Sequence, residues 1–284
     1  MVAKLGERLA REQMNVLQTE LALGALAASS NNEGGESLLK LIRASDTDQN
    51  LRAVAVKTFL LHIHGKWKHL KGSDQVRETI ESLQKVPELL PFALEMITSC
   101  DRKEFQEALE QLANGQNGVG LSLRYAAIDG LSKFRNDTSV DVLVKLLHPI
   151  ESPEIRQRVI SSLGLLATEK ALGILKTVLL NANSADFERM QALQSLASSR
   201  AGTTWLLAAQ DRNELPEDLL AETGRLLRSS PHQDLRNKAH LVFPVKAKMD
   251  IRKLPSSHEL AKQIGSADRG KLLVMNHKDL YQVP

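Results

Sequence analysis

Only one cysteine, Cys100, stands in the 284 residues. That excludes a disulfide scaffold, a cysteine-rich zinc module, a CxxC redox pair and a CxxCH haem attachment within this chain. Aromatic residues make up 4% of the sequence, too few for the stacking platforms of RNA binders or for an aromatic-rich β-sandwich. Charge of one sign is also lacking: 37 Lys and Arg face 34 Asp and Glu, a formal +3. Nothing in that balance argues for nucleic acid unless the basic residues gather on one face. Apolar runs long enough to span a membrane, about 18 residues, do not occur. The opening Met1-Val-Ala-Lys-Leu-Gly-Glu-Arg is broken by charge where a secretory signal needs an apolar stretch, so the visible residues carry no export signal. What is present, 42% hydrophobic and 25% charged residues, reads as an Ala/Leu-rich α protein.

Repetition organises the chain. Leu123-Arg-Tyr-Ala-Ala-Ile-Asp-Gly-Leu131, Ile155-Arg-Gln-Arg-Val-Ile-Ser-Ser-Leu163 and Glu188-Arg-Met-Gln-Ala-Leu-Gln-Ser-Leu196 share an Arg, a small or β-branched residue three later and a Leu seven later. Their arginines Arg124, Arg156 and Arg189 are 32 and 33 residues apart, the period of a helix pair. Between them lie apolar helices at 3.6 spacing, Val140–Leu147 and Ala171–Leu180. Arg52, Ala55 and Phe59 fit the template upstream, and Arg236, Ala239 and Phe243 fit it downstream. Turn residues fall between the helices, as in Asn136-Asp-Thr-Ser139 and His148-Pro-Ile-Glu-Ser-Pro153. Ser152 followed by Pro153 predicts an N-cap with proline at the first helical position.

The expected architecture is all-α: a HEAT/armadillo-like solenoid, a right-handed superhelix of antiparallel helix pairs, over residues 1–244. Its repeats are irregular over 1–115 and regular over 121–244, with the Asn/Gly run 114–120 as a loop between them. Residues 245–284 read as a basic linker, with a short helix at 257–264. The recurring arginines Arg52, Arg124, Arg156, Arg189 and Arg236 form a candidate structural ladder, each reaching an acidic or carbonyl partner of the adjacent repeat. If the second helices of the pairs line a partner-binding face, Tyr125, Arg156 and Arg189 are the candidate contact residues.

Three stretches together, Leu17-Gln-Thr-Glu-Leu-Ala-Leu-Gly-Ala-Leu26 followed by Gln49-Asn-Leu-Arg-Ala-Val-Ala-Val56, then Leu123–Leu131, then Leu215-Pro-Glu-Asp-Leu-Leu220 with Asp234-Leu-Arg-Asn-Lys-Ala239, resemble the HEAT-repeat segment of the PVC-type haem-binding, or membrane-bound dehydrogenase-like, proteins. The resemblance implies a propeller domain before this segment and a small c-type cytochrome domain after it, in the cell envelope. Gly265-Ser-Ala-Asp-Arg-Gly-Lys-Leu-Leu273 is similar to the first helix of a bacterial c-type cytochrome. Ser266 stands where that pattern has Asp, and residues 275–284 hold no cysteine. Haem c therefore belongs to the implied parent protein and to no residue of this chain. The expected role is a non-catalytic spacer or docking module, with flanking domains or another protein as partner. The alternatives are a free-standing protein-interaction scaffold and a HEAT-like nucleic-acid-binding protein, and the last would need a basic groove with facing aromatics, for which only Trp67 and Trp205 are at hand.

No constellation carries catalysis or a metal. His62, His64 and His69 cluster around Trp67, but residues two apart on a helix face different ways, and Lys66 and Lys68 repel a cation. A helix end, whose dipole favours cationic His and Lys, accounts for them. Cys100 has no nucleophile signature around it, and Ser161, Ser162, Ser198 and Ser199 lack the strand–turn–helix setting of a nucleophile elbow. Gly115, Gly118 and Gly120 follow no strand and match no phosphate-binding spacing.

Overall fold

The computed structural model describes residues 5, 8–9, 16–29 and 32–244. The predicted linker and short helix beyond residue 244 lie outside them. Fourteen α-helices and no strand occur among the described residues: α1 (Val16–Ala28), α2 (Asn32–Arg43), α3 (Gln49–His62), α4 (Asp74–Gln84), α5 (Leu90–Ser99), α6 (Gln106–Ala113), α7 (Leu121–Lys133), α8 (Asp137–Lys145), α9 (Pro153–Leu166), α10 (Glu169–Leu180), α11 (Asp186–Ala197), α12 (Arg200–Asp211), α13 (Leu220–Arg228) and α14 (Gln233–Val242). All fall in the unit Met1–Val242.

The helices alternate between two layers. Each odd-numbered helix packs against the next odd one, from α1 through α13, while the even helices pack on the odd ones beside them. From α2 to α11, an even helix and the odd helix after it form the repeating pair. This is an all-α solenoid, in which each pair buries its apolar face only against its neighbours.

The odd layer is built on a single register. Ala55, Ala93, Ala127, Val159, Ala192 and Thr223 are buried, and four residues after each lies a larger buried residue, Phe59, Ile97, Leu131, Leu163, Leu196 and Leu227. One helical turn separates the two rows, so both face inward along one stripe. Small residues in the first row let the helices approach, and the larger ones fill the space beyond. At Gly164 the approach leaves no room for a side chain, since a Cβ there would stand 2.7 Å from the Cβ of Ser195 on α11.

Local chemistry sets the helix ends. Side chains of Asp48, Ser73, Asn136, Ser152, Thr168 and Ser199 each accept from backbone N–H groups in the first turn of the helix that follows. Asp101, Arg135 and Ala167, with φ of 54°, 49° and 52°, close α5, α7 and α9 in the left-handed conformation. Two odd helices start differently: α5 and α13 are led in by single 3-10 turns, Pro87–Leu89 and Glu217–Leu219.

Candidate functional site

Four of the five ladder arginines stand at one position of the odd layer, three residues before the small buried row. Arg52 is itself buried and donates from Nε to Ile42 O at 2.9 Å and from Nη2 to Ala44 O at 2.7 Å. Arg124 donates to Ala113 O at 2.9 Å and pairs with Glu151 of the next repeat at 2.8 Å. Arg156 donates to Glu151 O at 2.6 Å and to Pro149 O at 3.3 Å, and its Nε meets Glu188 at 2.6 Å. Arg189 reaches Leu179 O at 3.5 Å and Asp218 at 2.9 Å. Arg52, Arg124 and Arg189 thus cap carbonyls at the end of the preceding even helix, where the dipole is negative, whereas Arg156 holds carbonyls of the loop between α8 and α9. The last three also extend a hand to an acid of the following repeat.

Glu188 shows how tightly these parts interlock, for its carboxylate also accepts the Ala185 N–H at 3.1 Å, closing the first turn of α11. The Arg156 and Glu188 side chains are only 14% and 15% exposed, which makes the pair a junction fastener rather than a solvated surface contact.

Arg236 stands apart. It lies on α14, an even-layer helix, and its Nη1 donates to Ser230 O at 2.9 Å, at the end of α13. Its match to the sequence template therefore does not place it in the row with the others. The same local task, capping the helix just before it, selects arginine in either layer, so the local pattern does not distinguish them.

Tyr125, Arg156 and Arg189, the candidate contact residues, are not presented as one open surface. Tyr125 is half-buried, with the Arg158 guanidinium 5.7 Å from its ring centroid. Arg158 in turn pairs with Asp129. Arg156 and Arg189 point into repeat junctions. Arg102, which the template does not include, is buried and donates to Lys71 O at 3.1 Å and Ser73 O at 3.3 Å. It ties the end of α5 to the turn before α4, and nothing in its local sequence announces this.

The histidine cluster is split by its contacts. His62 meets the buried Trp67 edge-on at 5.2 Å between centroids, whereas His64 Nδ1 lies 2.8 Å from Lys71 Nζ. Burial, with Lys66 adding to it, lowers the His62 pKa. The sequence favours a cationic histidine at this helix end, but here desolvation and the lysine outweigh the dipole. No group of three or more His, Cys, Asp or Glu that could hold a metal occurs among the described residues. Among them, too, no helix is long and apolar enough to cross a membrane. Cys100 is buried, and burial pushes its thiol up to about 11, the reverse of an activated nucleophile. Gly115, at φ 73°, lies in the turn between α6 and α7, where Arg124 Nε would stand 3.2 Å from a Cβ. Its role is to let the arginine in.

The ladder is interrupted where α5 begins. Counting back three residues from Ala93 gives Leu90 in place of an arginine, and from Thr223 it gives Leu220. The ladder positions are then 52, 90, 124, 156, 189 and 220, with spacings of 38, 34, 32, 33 and 31. At Leu90 a cavity of about 450 Å³ opens between the end of α4, the start of α5 and α6, with Pro87, Leu90, Leu112 and Val119 among its walls.

Compared with known protein families, residues 105–197 match HEAT repeats. The matched segment runs from just before α6 to the end of α11, the stretch in which Arg124, Arg156 and Arg189 follow one another without a gap. No curated protein matches the chain. A HEAT-repeat segment within an all-α solenoid defines a helical-repeat scaffold suited to protein interaction.

Proposed function

We propose that this chain is a non-catalytic scaffold that holds or docks other protein parts. The observation that carries the reading is the use made of charge: Arg124, Arg156 and Arg189 are committed to carbonyls and acids of their own and neighbouring repeats. Such a ladder stiffens a stack and leaves its ionic groups little to offer a substrate. On the resemblance given above, the scaffold is the helical middle of a haem-binding, dehydrogenase-like redox protein, keeping a propeller and a cytochrome domain at a set separation. The sequence likeness of residues 17–26, 49–56, 123–131, 215–220, 234–239 and 265–273 supports that finer reading.

Intact mass and visible absorption of the native gene product test both levels. A protein much heavier than 31.4 kDa with covalent-haem absorption is expected, and the isolated chain should be colourless. A colourless native product of this mass in a stoichiometric protein complex would overturn the redox parent and keep the scaffold. A free monomer of this mass with its own catalytic turnover would overturn both.

A further inference from the structure

We infer that the cavity at Leu90 is a docking pocket for a protein segment that presents an apolar side chain next to a carboxylate. The inference rests on the scaffold reading and names the chemistry of its partner. At three other odd-layer positions an arginine occupies the ladder position and reaches an acid ahead of, or at the start of, the next odd helix: Glu151, Glu188 or Asp218. At α5 both halves of that arrangement are missing together. Leu90 replaces the arginine, and the chain leading into α7, Val119-Gly-Leu-Ser-Leu123, contains no acid. The result is an unfilled space with an apolar wall where its counterparts are closed by an ion pair.

The rim specifies what enters. Gln84, Lys85, Gln111 and Gln116 border the cavity, and Lys85 is the one charged residue lining it. Three side-chain amides, each both donor and acceptor, match the N–H and C=O of an extended peptide backbone. The ammonium of exposed Lys85 complements a carboxylate, and the apolar wall takes a neighbouring aliphatic side chain. A basic segment has no partner among these lining residues, so charge complementarity selects an acidic one.

The test is titration of the purified full chain with the peptide acetyl-Gly-Leu-Asp-Gly-amide, followed by backbone amide NMR. Saturable shifts confined to residues 84–90 and 108–119 are expected. Replacing the peptide's leucine with serine should weaken binding by about 10-fold or more, the value of one buried aliphatic side chain. Replacing its aspartate with asparagine should weaken it about 3-fold. In the protein, Leu90→Arg restores the missing ladder member and should abolish the shifts. Lys85→Glu, at an exposed position, should weaken the aspartate peptide while leaving the asparagine peptide unchanged. It decides the matter if Leu90→Arg does not fold. Shifts that fall elsewhere, no saturation, or equal binding by Lys85→Glu would overturn the pocket. The scaffold reading fails separately, on the mass and activity of the native product.

Discussion

A guanidinium has five donors in a fixed plane, and at Arg124, Arg156 and Arg189 that geometry serves two purposes at once. One edge satisfies backbone carbonyls, at a helix end for Arg124 and Arg189 and in the loop before α9 for Arg156, and the other grips a carboxylate of the following repeat. Truncating Arg124 to alanine should cost about 2–3 kcal/mol in urea unfolding, because it strands a half-buried Glu151 as well as the Ala113 carbonyl. Arg200, exposed and paired with an exposed Asp234, should tolerate the same change with no movement of the urea midpoint. Two titrations follow from burial. His62 has its pKa lowered in the fold, so the unfolded chain binds protons more readily and stability falls as pH drops through about 6.5. The His62→Gln variant should lose that part of the acid limb. Cys100 has its pKa raised to about 11, so its contribution is complete below about pH 9 and disappears between 9 and 11. The loss is about 3 kcal/mol, and comparing Cys100→Ala with the parent across that range checks it.

Helix ends and helix crossings decide how the elements assemble. Ala167 ends α9 at φ 52°, a conformation that glycine adopts without the steric penalty of a Cβ. Ala167→Gly should therefore stabilise the protein by about 0.5–1 kcal/mol in thermal or urea unfolding. Gly164 is the opposite case, since its missing Cβ is what allows α9 and α11 to meet. Gly164→Val should destabilise by about 2–3 kcal/mol through overpacking. At this scale the sequence was legible wherever propensity and tertiary packing asked for the same residue. The Ser152 cap, the Pro153 start and the alternation of apolar helices could all be read from it. The member at α5 was not, because the ladder position there holds Leu90 and its lead-in is a 3-10 turn rather than a capped helix start. The small-then-large offset of Ala93 and Ile97 is the signal that could have found it. Arg236 misled for a complementary reason: it meets the template locally, but layer membership is fixed by which earlier helix it packs on, a non-local fact that offsets do not contain.

In the whole molecule, stability is a sum of repeats and the interfaces between neighbours. The consecutive fasteners Arg124–Glu151, Arg156–Glu188 and Arg189–Asp218 predict that the stretch from α7 to α11 exchanges its amide hydrogens most slowly, and that protection falls across the gap at Leu90 toward α5 and α3. The period that carries the scaffold reading was visible in three arginine segments, whereas the pocket was not. It arises from the absence of a ladder arginine and its acid, and an absence becomes visible only once the neighbours define the place. The central claim, that these arginines are fasteners between repeats rather than ligand-binding groups, is tested most directly by a double-mutant cycle on Arg156 and Glu188. Urea unfolding of Arg156→Ala, Glu188→Gln and the double variant should give a coupling of about 1–3 kcal/mol. Additive single effects, with no coupling, would contradict it.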